Sequence, residues 1–225
     1  MKSKTRKSGH LPSLGGARNQ STKRARPKSV GQSTVPNEDS GVKRCHWVTS
    51  DPIYIKYHDE EWGYPVHDDK KHFEFLILEA AQAGLSWLTV LRKLEGYRQA
   101  FANFDPVKVA RFDAAKIESL MVNPAIIRNR LKIAAAIHNA KLFIGVQKEF
   151  GSFDAYFWSF VNNSPVINQW SKPSDIPATT PLSNIFSKDL KRRGFKFVGP
   201  TVIYSHMQAC GMVDDHLVTC FRRTK

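Results

Sequence analysis

Between residues 73 and 84 the apolar side chains fall at Phe73, Leu76, Ile77, Ala80, Ala81 and Gly84, the i, i+3, i+4 spacing of one helix face, while Phe75 and Leu78 fill the other side. The pattern predicts a helix that is apolar nearly all round and therefore buried, with Asp68 or Asp69 as its cap. Ser86 caps a second predicted helix over residues 87–101, striped by Leu88, Leu91, Tyr97 and Phe101. Asp105-Pro106 opens a short one, because the donor that proline lacks would go unpaired in a first turn anyway. Asp113 caps another that runs to Met121. After Asn123-Pro124 the spacing predicts a long helix over 125–146. Ile126, Ile127, Ile133, Ala134, Ile137 and Leu142 face inward on it, and Arg128, Arg130 and Lys132 outward. An aromatic-rich helix over 152–161 follows, then an extended connector over 162–181 punctuated by Pro165, Pro173, Pro177 and Pro181, and helices over 183–193 and 200–209. No series of period-two strands occurs, and nothing repeats at a period of about 20 to 50 residues. The expected class is all-α, with one helical domain over residues 42–225.

Residues 1–41 break this texture. They hold no aromatic residue and are dense in Ser, Lys, Arg, Gly and Pro, so they bury too little surface to offset their conformational entropy and read as a disordered basic leader. The leader carries nine lysines and arginines against two acids, and the remainder 25 against 18, so each part contributes +7 to the net charge of +14. Such a balance favours a polyanion. Nucleic acid is preferred over an anionic membrane, because no segment pairs a basic face with a bulky apolar one. The run Lys23-Arg24-Ala25-Arg26-Pro27-Lys28 reads as an address, a DNA-tethering arm or simply a solvated stretch.

With 225 residues, 41% of them hydrophobic, the chain is long enough for a full core, which excludes a wholly disordered protein. No apolar run approaches the ~18 residues of a membrane-spanning helix, and no apolar stretch follows the basic start as in a secretory signal. Three cysteines, Cys45, Cys210 and Cys220, are too few for a disulfide framework, so a reducing, intracellular compartment is expected.

Three groups of residues carry candidate chemistry. Cys45 and His58 near the domain start, with His216 and Cys220 four residues apart at its end, make up a Cys2His2 donor set of the kind zinc takes; if the second pair is helical, both residues share one face. The alternative is a buried thiol with unrelated histidines, and Cys210, in an apolar helix, reads as core packing. Glu79 stands in the buried helix, where an ionised carboxylate costs several kcal/mol unless something meets it. Either a Lys or Arg pairs with it, or it waits beneath Trp47, Tyr54, Tyr57 and Trp87 for a cationic, donor-rich ligand. Finally, Lys191-Arg192-Arg193-Gly194-Phe195-Lys196-Phe197-Val198-Gly199-Pro200-Thr201 joins a basic helix to an apolar one. The free N–H groups that start the second helix suit a phosphate, although a plain connection between helices would look the same.

Together RCHWVTSDPIYIKYHDEEWG, LEAAQAGLSWLTVLRK, NPAIIRNRLKI, KRRGFKFVGPTVIYSHMQACG and VDDHLVTC, over residues 43–222, closely resemble the 3-methyladenine DNA glycosylase I family of the helix-hairpin-helix glycosylases. The resemblance implies a structural Zn2+ on Cys45, His58, His216 and Cys220, and a base-binding pocket of Trp47, Tyr54, Tyr57, Glu79 and Trp87. It implies a DNA-clamping hairpin with Lys191, Arg192, Arg193, Gly194, Lys196, Gly199 and Thr201, and a Leu85 that enters the gap in the duplex. Two positions depart from the family pattern. Ala125 replaces the usual glycine. Asp214 replaces the usual asparagine and falls where the wider superfamily places a catalytic aspartate. Either Asp214 stabilises the developing sugar cation, or it caps the final helix while Asp215 orients a zinc-bound histidine.

The implied reaction is hydrolysis of the N-glycosidic bond of 3-methyladenine flipped out of double-stranded DNA, with free 3-methyladenine and an abasic site as products and no strand cleavage. A monomer with no membrane association is expected. The alternative class, a non-catalytic zinc-stapled nucleic-acid-binding module, would need the hairpin but not a buried carboxylate under aromatic rings.

Overall fold

The computed structural model describes residues 41–224. The leader therefore lies outside the described residues, apart from Gly41. Asp51 opens α1 (Pro52–Glu60), its carboxylate accepting from the Ile53 N–H at 2.9 Å with Pro52 in the first turn. Sequence patterning passed over this helix, although Asp-Pro is a start signal of the kind recognised at Asp105-Pro106. Asp68 caps α2 (Asp69–Gln82), in which every residue from His72 to Ala81 is buried. The helix expected over 87–101 is two pieces, α3 (Trp87–Leu91), capped by Ser86, and α4 (Leu94–Ala100). A 3-10 turn, Ala102–Phe104, leads to α5 (Pro106–Val109) and α6 (Ala114–Met121), capped by Asp105 and Asp113 as the spacing predicted.

The long helix α7 spans Arg130–Phe150 and begins later than expected, because Asn129 caps it by accepting from the Lys132 N–H at 3.1 Å. Ala125, ahead of it, is not among the residues of positive φ; its N–H donates to Asn123 Oδ1 at 2.9 Å in a short turn, so the backbone tolerates alanine there. Lys132 does not point into solvent either. Its ammonium donates to the carbonyls of Ala81 at 2.8 Å and Ala83 at 2.6 Å, satisfying the open C-terminal end of α2.

α8 (Phe153–Ser159) is fixed to α2 by Asp69, whose oxygens accept from the N–H groups of Phe153 and Asp154 at 2.9 and 2.8 Å. Within the extended connector, β1 (Val166–Ile167) pairs in parallel with β2 (Val213–Asp214), a pairing that the sequence reading did not foresee. Two residues are too few for alternation to register in a sequence. α9 (Pro181–Arg192), capped by Thr180, and α10 (Pro200–Ala209) close the helical set, and α10 packs against both α9 and α2. The described residues are thus mostly helical with one short strand pair. None of their helices is long and apolar enough to cross a membrane.

Candidate base-binding pocket and metal centre

α1, the end of α2, the start of α3 and α10 enclose a cavity of about 370 Å³. Trp47, Tyr54, Tyr57, Glu79 and Trp87, named from sequence, all line it, joined by His46, Trp62, Gln82, Pro173, Ile176, Ser205 and Gln208. Trp47 stands 5.1 Å from Tyr54 and 6.2 Å from Tyr57 between ring centroids, and Tyr57 5.4 Å from Trp87, all tilted, so their faces form a curved apolar wall. Sequence reasoning missed the rest in two ways. Gln82 lies one turn beyond Glu79, and Ser205 and Gln208 are a turn apart on α10, a spacing that pointed to one face without saying which. Pro173 and Ile176 come from the connector, where no local signal places them.

Glu79 is 4% exposed, and no Lys, Arg or hydrogen-bond donor meets its carboxylate among the described residues. Burial pushes its pKa up to about 8. Glu74, five residues earlier in the same buried helix, shows the opposite outcome, since Lys71 Nζ donates to it at 2.6 Å. The ion-pair alternative thus holds for Glu74 and not for Glu79. Trp87 Nε1 is a buried donor with no acceptor among the described residues. A buried carboxylate and a buried indole N–H, both unpaired and both on the cavity, mark where a ligand's polar groups would be answered. Leu85, 41% exposed, stands beside the cavity in the turn between α2 and α3, its carbonyl accepting from Gln82 Nε2 at 3.0 Å.

Cys45, His58, His216 and Cys220 come together in the core, one donor atom of each lying within 4.8 Å of the others. Cys220 Sγ is 3.4 Å from His58 Nε2 and 3.5 Å from His216 Nδ1, and Cys45 Sγ is also 3.5 Å from His216 Nδ1. Four ligands around a zinc ion stand roughly 3.3–3.8 Å apart, so the donor set fits that ion in chemistry and spacing. Contact between the two thiols holds Cys220 low, helped by both imidazoles, and pushes Cys45 up. His58 Nδ1 lies 2.7 Å from Asp59 Oδ1, and Arg44 grips the same carboxylate at 2.7–3.0 Å, which fixes the ring. Gly63, at φ +81°, lets the backbone pass close to His216, since a Cβ there would lie 2.8 Å from Nε2. The segment from His216 to Cys220 is a turn rather than a helix, so the two ligands converge by loop closure and not by a shared face.

Asp214 is absent from the cavity lining, and both its oxygens are taken by backbone, accepting from His216 N–H at 3.0 Å and Thr224 N–H at 2.9 Å. It braces a terminal turn, not the final helix that the sequence suggested. Asp215, expected beside a histidine ligand, instead accepts from Asn168, Trp170 and Gln208 at 2.7 Å each and from the Tyr204 hydroxyl. It thereby holds the cavity residue Gln208.

In the hairpin between α9 and α10, Gly194 turns at φ +96°. Asn139 of α7 secures the loop, donating to the Lys196 carbonyl at 2.9 Å and accepting from the Lys196 N–H at 2.8 Å. Lys191, Arg192, Lys196 and Thr201 are exposed, and Gly199 caps α10. Arg193 is committed elsewhere. It binds Glu149 through two nitrogens at 2.6 and 3.0 Å and Asp189 at 2.7 Å, with its guanidinium 5.0 Å from the ring centres of Phe150 and Tyr156.

Comparison with known proteins places the chain in one family. The chain is 51% identical over 179 residues to DNA-3-methyladenine glycosylase 1 of Escherichia coli strain K12, an alignment that covers 80% of this chain and 96% of the relative. A crystal structure of 3-methyladenine DNA glycosylase I superposes with a TM-score of 0.79 at 49% identity, covering 81% of this chain and 100% of that one. A tyrosine-to-phenylalanine variant of such an enzyme in complex with 3-methyladenine superposes at 0.78, with 41% identity and coverage of 81% and 98%. Residues 47–223 match the profile of the methyladenine glycosylases, and the chain belongs to that family.

Proposed function

We propose that this protein is a DNA-3-methyladenine glycosylase, which removes the alkylated base from double-stranded DNA by hydrolysing its N-glycosidic bond. The observation that carries the reading is the unpaired Glu79 carboxylate beneath tryptophan and tyrosine faces, in a cavity large enough for a purine. Methylation at N3 gives adenine a fixed positive charge and weakens its bond to the sugar. The extruded base stacks on the aromatic wall, and its cationic ring and amino donors meet Glu79. Normal adenine is neutral and gains less from the same surroundings, so the site selects as it binds. As the glycosidic bond breaks, its electron pair goes to the base, which leaves neutral. Water then adds to C1′ of the oxocarbenium-like sugar and loses a proton to solvent, leaving an abasic site. None of the described residues lining the cavity is a lysine that would form a Schiff base, in keeping with a reaction that leaves the strand intact.

The other parts take supporting roles. Lys191, Arg192, Lys196, Thr201 and the first N–H groups of α10 face DNA phosphates, and Leu85 fills the gap left by the extruded nucleotide. Arg193 stiffens the base of the hairpin. Cys45, His58, His216 and Cys220 would hold a structural zinc, which would join the two ends of the domain. Asp214 braces the turn that delivers His216, so Glu79 alone of the two carboxylates meets the base. The protein works as a monomer inside the cell, with no membrane role. Incubation with methylated duplex DNA should release free 3-methyladenine, detected by chromatography, with strand breaks only after alkaline treatment. Absence of released base from zinc-loaded protein that binds the duplex would overturn the assignment.

A further inference from the structure

Away from the cavity and the Cys45 set, the core holds a second group of donors. His72 on α2 and His206 and Cys210 at the end of α10 are 0%, 1% and 0% exposed, and one donor atom of each lies within 4.8 Å of the others. We propose that His72, His206 and Cys210 form a second metal site, three-coordinate, which takes a soft monovalent cation, Cu+.

Buried polar atoms are nearly always paired, yet His72 Nδ1 and His206 Nδ1 both lack partners among the described residues. Aromatic carbon is packed against both rings, with Phe157 4.5 Å from the His72 ring and 5.3 Å from that of His206, and the Val66 backbone and Asp154 offer His72 its polar contacts. His206 and Cys210 are four residues apart, and Cys210 Sγ lies 3.9 Å from His206 Nε2. Three such ligands at 120° around one ion stand roughly 3.6–3.8 Å apart, so closing the set needs about 1 Å of movement at most. His72 also has its outer partner in place, Asp154 Oδ1 at 3.2 Å from Nε2, the carboxylate that usually orients a ligating imidazole.

Charge and coordination number choose the ion. On binding, the Cys210 S–H bond breaks, an S–Cu bond forms and the proton leaves to solvent. Thiolate and Cu+ then sum to zero, which suits a dry core. Of the charged groups that act on Cys210, Lys71 and Glu74 neutralise each other, leaving Glu79. Asp154 is already shared between His72 and His67, and the described residues supply three donors to this cluster, one short of a tetrahedron for zinc. Soft thiolate and imidazole at low coordination number are what Cu+ prefers. The placement has a consequence for the cavity. His72 lies two turns before Glu79 on α2, and His206 stands between Ser205 and Gln208 on α10, so the ion would fix two walls of the base pocket to each other.

The test uses the full chain with its zinc content measured. Cu+ is supplied without oxygen as its acetonitrile complex, against bicinchoninate as competitor. One copper per chain should bind without release of zinc, X-ray absorption should show one sulfur and two nitrogen neighbours, and a hundredfold excess over Kd should raise Tm by roughly 5–10 °C. His72→Leu with His206→Leu fills the core with apolar groups of similar bulk and should abolish uptake and shift together. If that variant fails to fold, Cys210→Ala supplies the same comparison. Copper that enters only by expelling zinc, equal uptake by the variants, or a second zinc at this cluster would each overturn the proposal.

Discussion

Glu79→Gln should make the protein more stable and a worse enzyme, both for one electrostatic reason. Burial raises the carboxyl from the ordinary 4.5 to about 8. Below pH 4.5 the group is protonated in the folded and unfolded chain alike and contributes no difference. Between pH 4.5 and 8 the unfolded chain releases this proton and the folded chain keeps it, so stability falls as pH rises and levels off above about 8. The loss amounts to roughly 3 kcal/mol at pH 7 and up to about 5 above pH 8, upper limits because buried sites relax. Glutamine has the shape of the protonated acid and does not titrate. The variant should therefore match the parent near pH 4.5 and exceed it by up to about 3 kcal/mol at pH 7, measured by urea unfolding at several pH values.

The same charge is what the lesion meets. Removing one charge-assisted contact of about 1.5–3 kcal/mol should slow single-turnover excision ten- to a hundredfold, with duplex binding nearly unchanged. In the parent, kcat/KM should climb with pH toward about 8, where the free enzyme's carboxyl ionises, and in the variant that climb should vanish. Trp87→Ala, which removes an aromatic face without touching the charge, should slow excision while keeping the pH profile. Equal stability of Glu79→Gln and parent across this range would mean that the carboxylate is not desolvated. An unchanged excision rate would mean that it is not presented to the base. Either result defeats the reasoning.

Metal analysis of protein purified without chelator should give one zinc per chain, and Cys45→Ala or Cys220→Ala should lower Tm before it alters intrinsic chemistry. Lys191→Ala and Lys196→Ala should each flatten the slope of log affinity against log salt by about 0.9 on duplex DNA. Arg193→Ala should leave that slope alone and cost about 1–3 kcal/mol of stability, because its partners are Glu149 and Asp189. Lys132→Met removes the donor that closes α2 and should loosen the Leu85 turn, slowing excision with about 1–2 kcal/mol of destabilisation by thermal melt. Asp214→Asn should lower stability and spare the single-turnover rate; a large rate loss in folded protein would assign that carboxylate to the chemistry.

Local physics written into short stretches of chain was legible in the sequence. The caps at Asp68, Ser86, Asp105 and Asp113 lie within three residues of the groups they bind, and α2, α6 and α10 are found close to their predicted bounds. What failed depends on distant partners. Lys132 reads as a solvated residue until the end of α2 arrives beside it. Arg193 reads as a phosphate ligand from sequence, and the fold adds Glu149 of α7 as a partner. His72 and His206 gave no signal at all, because their proximity exists only where α2 crosses α10. Glu74 and Glu79 show the limit most sharply. Sequence says of Glu79 only that a buried carboxylate must be met, whereas Glu74, five residues earlier, has Lys70 and Lys71 one turn before it. Lys71, one turn before Glu74 on the same helix, pairs with it, whereas no lysine or arginine stands a turn away from Glu79, which the fold leaves facing an aromatic cavity. An acid that the fold buries and leaves unpaired costs stability that packing must offset, and such a cost persists where a ligand supplies the missing charge. The functional residue is thus identified by the partner it lacks, which is a property of the whole fold and not of any segment of the chain.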